Sequence, residues 1–410
     1  MKQILQTQLL GTFQLNGSLD IHSWYNYLAG YSAEFVKKIL EEENITPDNI
    51  VLDPFCGVAT TNIVCKKANI QSVGIEINPF TSFVAKTKLF WDFTEKELSS
   101  NYSNFFKQIN KIKKTKKFKS NNDLLNRAFS PKILNELLKI KETINNFKLV
   151  GKKKKLRNLY LLCLISILRE VSNYESFSPY LKRRETMLKN APVIEIYQNK
   201  LKKMMVDLYK VKDNKINPEI YNTSAKSLDF LNQIFDVVIT SPPYLNNWDY
   251  SWITKIELFF LDYAQTNEDL NNGFRKNLIK SSTYLLNNSE PELLLPESKI
   301  KKEILSVVKK LKKKRLMKKN GKKYDIMLIE YFNDMFLILR EIYKKMNYGS
   351  KNIWVVGDSG LYDEHIKTDV WIGNVSELVG FKFSKCDVLR ERKASRHKIK
   401  LRESVIYMEK

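Results

Sequence analysis

Phe235-Asp236-Val237-Val238-Ile239-Thr240-Ser241-Pro242-Pro243-Tyr244 decides how this chain is read. An apolar run suited to a buried parallel strand delivers a short polar-aromatic loop at its carboxyl end. Two successive prolines fix φ at about −65° and lack N–H donors, so the loop holds its carbonyl directions with little entropy left to lose. Ser241 Oγ and the Pro242 carbonyl are candidate acceptors, and Tyr244 offers a flat face on which a ring can stack. These residue types suit an exocyclic aromatic amine. Its lone pair is delocalised into its ring, and it gains nucleophilicity when acceptors draw its hydrogens toward a tetrahedral arrangement. Standing alone, the tetrapeptide also reads as a strand end and a turn.

Far upstream, Ile50-Val51-Leu52-Asp53-Pro54-Phe55-Cys56-Gly57-Val58-Ala59-Thr60-Thr61 reads as a strand, a small-residue turn and a helix start. That arrangement makes a site for a charged small molecule at the carboxyl edge of a sheet. Ser72-Val73-Gly74-Ile75-Glu76-Ile77-Asn78-Pro79 follows as a second strand ending in a carboxylate, which makes Glu76 the candidate for gripping ribose hydroxyls. A nicotinamide dehydrogenase is the rival reading, but its fingerprint is Gly-x-Gly-x-x-Gly and it needs no Ser-Pro-Pro-Tyr loop. Ala59 stands at the second glycine, which implies negative φ there.

Together these motifs resemble the amino-group DNA methyltransferases, the N4-cytosine and N6-adenine enzymes that use S-adenosylmethionine. The resemblance implies an α/β fold: a Rossmann-like methyltransferase sheet with helices on both faces, interrupted by a largely helical insertion and a second, basic insertion. It further implies that Asp53, Pro54, Phe55, Gly57 and Thr60 surround the methionine part of the cofactor and Glu76 its ribose. Ser241, Pro242, Pro243 and Tyr244 would hold the target amine. The segment from His22 to Phe35 is similar to the family's motif that caps the methionine end, with Tyr31 and Ser32 in the matching places. Trp354 to Ser359 and Glu403 to Tyr407 look like the late strands that complete the sheet. Where relatives commonly have Gly-Asp-Ala-Arg, this chain has Thr223-Ser224-Ala225-Lys226; Ser224, or else Asp229, is the substitute for the missing carboxylate. A serine at the head of the loop is the form seen most often in N4-cytosine enzymes, whereas Asp or Asn is usual for N6-adenine.

The composition agrees with a nucleic-acid enzyme. Lys+Arg of 69 against Asp+Glu of 45 leaves a formal charge of +24, which suits a polyanion such as double-stranded DNA and implies salt-sensitive binding. A lysine-rich background, with Asn and Ile also abundant, is the bland reading of the same number. With 410 residues and 43% apolar content, the chain can bury a large core and more than one domain. Cys56, Cys65, Cys163 and Cys386 form no C-x-x-C pair, so neither a zinc knuckle nor a disulfide framework is indicated, and a reducing cytoplasm is expected. None lies in the loop, where a C5-cytosine methyltransferase would carry its nucleophile. His22, His365 and His397 are spaced far apart, so no metal is expected; no apolar run is long enough for a membrane span.

The motifs divide the chain into an N-terminal cofactor part (1–95), a helical insertion and candidate target-recognition region (96–215), a catalytic-motif part (216–263), a basic insertion and candidate DNA-binding region (264–325), and a C-terminal catalytic part (326–410). Phe80 to Phe90, Leu156 to Leu168, Trp252 to Tyr263 and Tyr331 to Met346 carry helical patterns. Lys113, Lys114, Lys116, Lys117, Lys119 and the run 152–155 suit a solvated face, as do Arg169, Tyr174, Tyr180, Arg183 and Arg184 a helix surface or core. The expected activity is methyl transfer to N4 of cytosine in a flipped base, with a separately encoded restriction endonuclease as a possible partner. N6-adenine methylation is the first alternative. An RNA guanine-N2 methyltransferase is the second, disfavoured by Ser241 and by the few residues before His22. A non-catalytic DNA-binding module is the third, disfavoured by the joint presence of Asp53, Glu76 and the whole loop.

Overall fold

The computed structural model describes residues 8–112, 117–175, 181–211, 214, 216–246, 248–286, 290–393 and 399–410. Lys113, Lys114, Lys116, Tyr180 and His397 lie outside the described residues. Among those described, seven strands form one sheet: β1 (Ile50–Asp53), β2 (Gln71–Ile75), β3 (Glu219–Tyr221), β4 (Phe235–Thr240), β5 (Met346–Gly357), β8 (Lys382–Lys393) and β9 (Lys400–Glu409). A separate hairpin is made of β6 (Ser359–Leu361) and β7 (Glu364–Ile366). The order across the sheet is β3-β2-β1-β4-β5-β9-β8. The first five strands run parallel; β9 is antiparallel to both of its neighbours. This is a Rossmann-like sheet of the kind expected from the sequence motifs, with helices on both faces.

Strand order reverses between β1 and β4, and at such a switch point the crossovers diverge and leave a crevice at the carboxyl ends. Both sequence motifs end there. Thr240 Oγ1 donates to Asp53 Oδ1 at 2.6 Å, tying the ends of the two strands together.

The central strands are apolar because both faces are covered. Alternate residues serve opposite cores. Val51, Val237, Ile239, Ile353 and Val355 pack with the helix Ala33–Glu42, whereas Leu52, Val238, Trp354 and Val356 pack with the helix Tyr324–Lys344. The latter helix is buried around most of its circumference, beyond the one-sided amphipathic pattern expected for Tyr331 to Met346.

The segment 96–215 is helical as expected, with Glu95–Lys111, Asp123–Ala128, Pro131–Asn146, Lys153–Ile167 and Val193–Val211. It does not stand apart. Its apolar faces share one core with Trp24, Val58, Ala59, Ile63, Phe80 and Val84 of the cofactor part. Arg169 pairs with the fully buried Glu257 at 2.8 Å, so it is a strut between this insertion and the segment after the catalytic loop. Tyr174 is buried, and the Arg184 guanidinium bonds the carbonyls of Glu170, Ser172 and Tyr174. The aromatic helix expected from Trp252 to Tyr263 is two short ones, Tyr250–Ile253 and Lys255–Phe260, broken at Thr254.

Candidate active site

A cleft opens at the switch point. Its floor is the end of β4 and the loop Ser241 to Tyr244; its walls carry Pro54, Phe55 and Gly57 after β1, Glu76 after β2, and Ser224 after β3. Tyr27 to Gly30 and Trp248 with Tyr250 close it from two sides. A small annex shared through Phe55, Gly57 and Ser241 is lined by Tyr31, Asp53 and Thr60. Of the residues singled out from the sequence for this site, Ser32 and Asp229 line neither hollow. Ser32 is fully buried, and its Oγ accepts from Phe35 N at 3.1 Å as the cap of the helix Ala33–Glu42. Asp229 is exposed, whereas Ser224 faces the cleft.

The turn after β1 holds two left-handed residues, Gly57 at φ +52° and Ala59 at +69°. The negative φ expected at Ala59 is therefore wrong. An L-residue there costs roughly 1–2 kcal/mol; Ala59 is the N-cap of the helix Thr60–Lys67, and its methyl is fully buried in the core, where packing offsets that cost. At Gly57 a Cβ would meet Tyr27 Cε1 at 3.2 Å, so the absent side chain keeps the backbone close to the cleft wall.

Asp53 sits behind this wall, 2% exposed. Its oxygens accept from Tyr31 Oη at 3.0 Å, Thr240 Oγ1 and Phe55 N at 3.1 Å. Burial pushes its carboxyl up to about 6, opposed by these donors. Asp53 thus braces the two strand ends. Glu76 faces the cleft itself. Asn78 N donates to its Oε1 at 2.7 Å, and burial pushes it up to about 7.

The loop is anchored from three directions. Tyr331 Oη donates to the Pro243 carbonyl at 3.0 Å, Ser359 Oγ to the Leu245 carbonyl, and Thr240 to Asp53. Tyr244 Oη donates to Glu403 Oε1 at 2.8 Å, and the tyrosine ring edge lies against Gly357. Burial, then the Glu403 carboxylate, holds the Tyr244 phenol well above its ordinary range, so it stays a donor. Among the described residues, Ser241 Oγ makes one contact, a long one of 3.4 Å to Tyr244 Oη. Glu403 is paired with Arg390, and Arg390 and Arg392 both line the cleft. Sequence reasoning named Glu403 only as the start of a late strand and passed over Arg390 and Arg392. The spacing of Arg390 and Arg392, i and i+2 in a strand, was the available signal for a shared face.

The DNA methylase family matches over residues 20–87, which span the cap, the turn after β1 and Glu76. The type II methyltransferase M.BsoBI of Geobacillus stearothermophilus is 26% identical over 98% of this chain and 88% of its own length. M.AvaI of a Nostoc species, also a type II methyltransferase, is 24% identical over 92% and 82%. These matches support the amino-methyltransferase family. An rRNA methyltransferase structure from Streptomyces viridochromogenes aligns over 92% of this chain and 85% of that one at 8% identity with a TM-score of 0.30; the fold rests on the strand order instead. Type II DNA methyltransferases belong to restriction-modification and act on DNA.

Family and fold imply S-adenosylmethionine as the methyl donor. The cleft fits it. Glu76 offers a carboxylate able to accept hydroxyl donors, Ile75, Ile77, Ala225 and Leu278 offer apolar walls that would suit a flat ring, and Gly57 leaves a cradle that a Cβ would fill. Among the described residues no helix is long and apolar enough to cross a membrane.

Proposed function

We propose that this protein methylates N4 of cytosine in duplex DNA, at a base swung out into the cleft. The observation that carries the reading is one juxtaposition: Ser241 and Tyr244 share a cleft with Glu76 at the switch point, and a hydroxyl rather than a carboxylate heads the loop. S-adenosylmethionine, when bound, supplies a sulfonium methyl open to attack by an amine.

The chain's own residues do the rest by positioning. Glu76 accepts the ribose hydroxyls, whose donation favours its ionised form. Tyr244, with its hydroxyl and one ring edge already held, presents a fixed face on which the base stacks and recovers part of the few kcal/mol spent in leaving the helix. Ser241 Oγ retains acceptor capacity because its one contact is long, and it takes one amine hydrogen while the Pro242 carbonyl takes the other. Since the loop is pinned from three directions, these acceptors need little reorganisation at the moment of reaction. Water receives the proton the amine loses. The annex residues Tyr31, Asp53 and Thr60 support the methionine end, Asp53 as a brace.

The same reading assigns sequence recognition to the segments 96–215 and 264–325, a separately encoded endonuclease as companion, and a cytoplasmic location. Plasmid DNA methylated by the purified protein with labelled cofactor, then hydrolysed to nucleosides, should yield N4-methylcytosine. N6-methyladenine alone overturns the base assignment, and failure to bind cofactor in a calorimetric titration favours a non-catalytic module.

A further inference from the structure

The second insertion ends in a basic apex tied to the catalytic loop. Along the helix Lys299–Leu316 and its lead-in, some cations have carboxylate partners, Lys301 with Glu297 at 2.7 Å, Lys314 with Glu364 at 2.6 Å and Arg315 with Asp325 at 2.9 Å, and others, such as Lys309 and Lys313, have none among the described residues. Past the helix end, unpaired lysines gather beside aromatic rings. Lys318, Lys319 and Lys322 are exposed, and among the described residues no carboxylate pairs with them. Lys318 instead stands 5.5 Å from the ring centre of Tyr362, and Lys322 5.9 Å from that of Tyr284. Tyr284 is 69% exposed, and Leu316 and Met317, which precede Lys318 directly, are each 72% exposed. A merely solvated charge run has no need of bare apolar side chains; a docking surface does.

Two routes connect this apex to the site. Ser359, which holds the Leu245 carbonyl, opens the hairpin whose turn residue Tyr362 donates to the Lys322 carbonyl at 3.1 Å. Asn246 N donates to the Ser281 carbonyl at 2.7 Å, and Arg275 bridges Asp249 at 2.6 Å to the Tyr284 carbonyl at 2.9 Å. The hairpin follows the carboxyl end of β5, so apex and cleft lie at the same edge of the sheet.

We propose that Lys318, Lys319 and Lys322 seat the phosphate backbone of duplex DNA flanking the target base, with Leu316, Met317 and Tyr284 against the sugar edge. This rests on the DNA-methylase reading. Lys318 and Lys322 stand near the protein's own rings, Lys319 is exposed between them in sequence, and a linear polyanion is the partner that engages all three at once.

The test is the salt dependence of binding to a fluorescent random-sequence DNA duplex. Each lost phosphate contact lowers the log–log slope by about 0.9. The triple variant Lys318→Gln, Lys319→Gln, Lys322→Gln should lose a slope of about 2–3 and weaken binding at about 0.1 M salt by roughly 100- to 1,000-fold. Arginine at the same positions should restore both. The charge-matched variant Lys37→Gln, Lys38→Gln, Lys382→Gln, exposed positions outside both insertions, should keep the wild-type slope. An unchanged slope in the apex variant, an equal loss in the control, or apex-dependent binding of polyglutamate in preference to duplex overturns the proposal. Methyl incorporation by the wild type tests the methylase reading separately: if it succeeds while the apex slope stays fixed, this inference alone falls.

Discussion

Gly357 closes β5 directly behind the Tyr244 ring, and a single methyl there is the most local way to disturb the loop. A Cβ at 357 would stand 2.7 Å from Tyr244 Cδ2, 2.9 Å from Cε2 and 3.1 Å from Arg392 Nη2. Non-bonded carbons settle at about 3.5–4.0 Å, so the ring must retreat by about 1 Å. Residue 357 is outside the left-handed region, so alanine meets no backbone penalty and the perturbation is confined to what it touches. On its other side the ring is leashed by the 2.8 Å bond to Glu403. Overpacking of this kind costs about 1–3 kcal/mol of stability. A displacement of about 1 Å in a group that positions a reacting amine costs up to about 100-fold in turnover. For Gly357→Ala we therefore expect kcat for methyl incorporation to fall by about 10- to 100-fold, with cofactor affinity within about twofold of wild type. Adding Tyr244→Ala removes the clash, so the double variant should be more stable than the sum of its single changes. Wild-type kcat in Gly357→Ala, or strict additivity in the cycle, would refute the claim that this contact sets the tyrosine's position.

Glu76→Gln should weaken S-adenosylmethionine binding by roughly 10- to 100-fold in calorimetry, the worth of a charged hydrogen bond. Because Glu76 is held near 7, wild-type affinity should rise between about pH 6 and 8, and the Gln variant should be flat. Asp53 gives a stability signature of defined sign. The folded state holds its proton to about 6 against 3.8 for the ordinary value, so its contribution falls as pH rises through that window, by about 3 kcal/mol, and is constant above it. Asp53→Asn should remove that slope in urea titrations from about pH 4 to 7, whatever constant cost the amide brings. Ala59→Val puts a β-branched side chain at φ +69° in a filled core and should destabilise by about 2–4 kcal/mol in the same assay.

The elements legible in the sequence were those whose physics is local. β1 and β4 announce themselves as apolar runs because both faces are covered, and the residues after them are marked by proline and glycine because the chain must turn at the sheet edge. Glu76 was legible for the same reason, as a carboxylate ending the second such strand. What was missed lacks a local signature. β3 has three half-buried residues, and β8 is largely exposed, so neither carries an apolar run. Ala59 shows the opposite failure: the propensity argument for negative φ is sound for an isolated residue, and tertiary packing overrode it.

The proposed chemistry depends on both kinds of residue at once. Ser241 decides what the amine meets, and nothing outside the loop changes that identity. Where the serine and the ring stand is decided elsewhere: by Asp53 187 residues before Thr240, by Tyr331 88 residues after Pro243, by Ser359 114 after Leu245, and by Glu403 159 after Tyr244. Four bonds of such separation form only when the whole sheet is assembled, which makes the loop's rigidity a property of the fold rather than of its prolines. Two prolines restrict φ but leave the loop free to pivot as a unit, and it is the pivot that these distant partners remove. The same anchors reach the apex through Ser359 and the hairpin. If DNA is seated there, the surface that grips the duplex and the loop that receives its base are held by one continuous set of contacts, and their spacing is set by the protein before the base arrives.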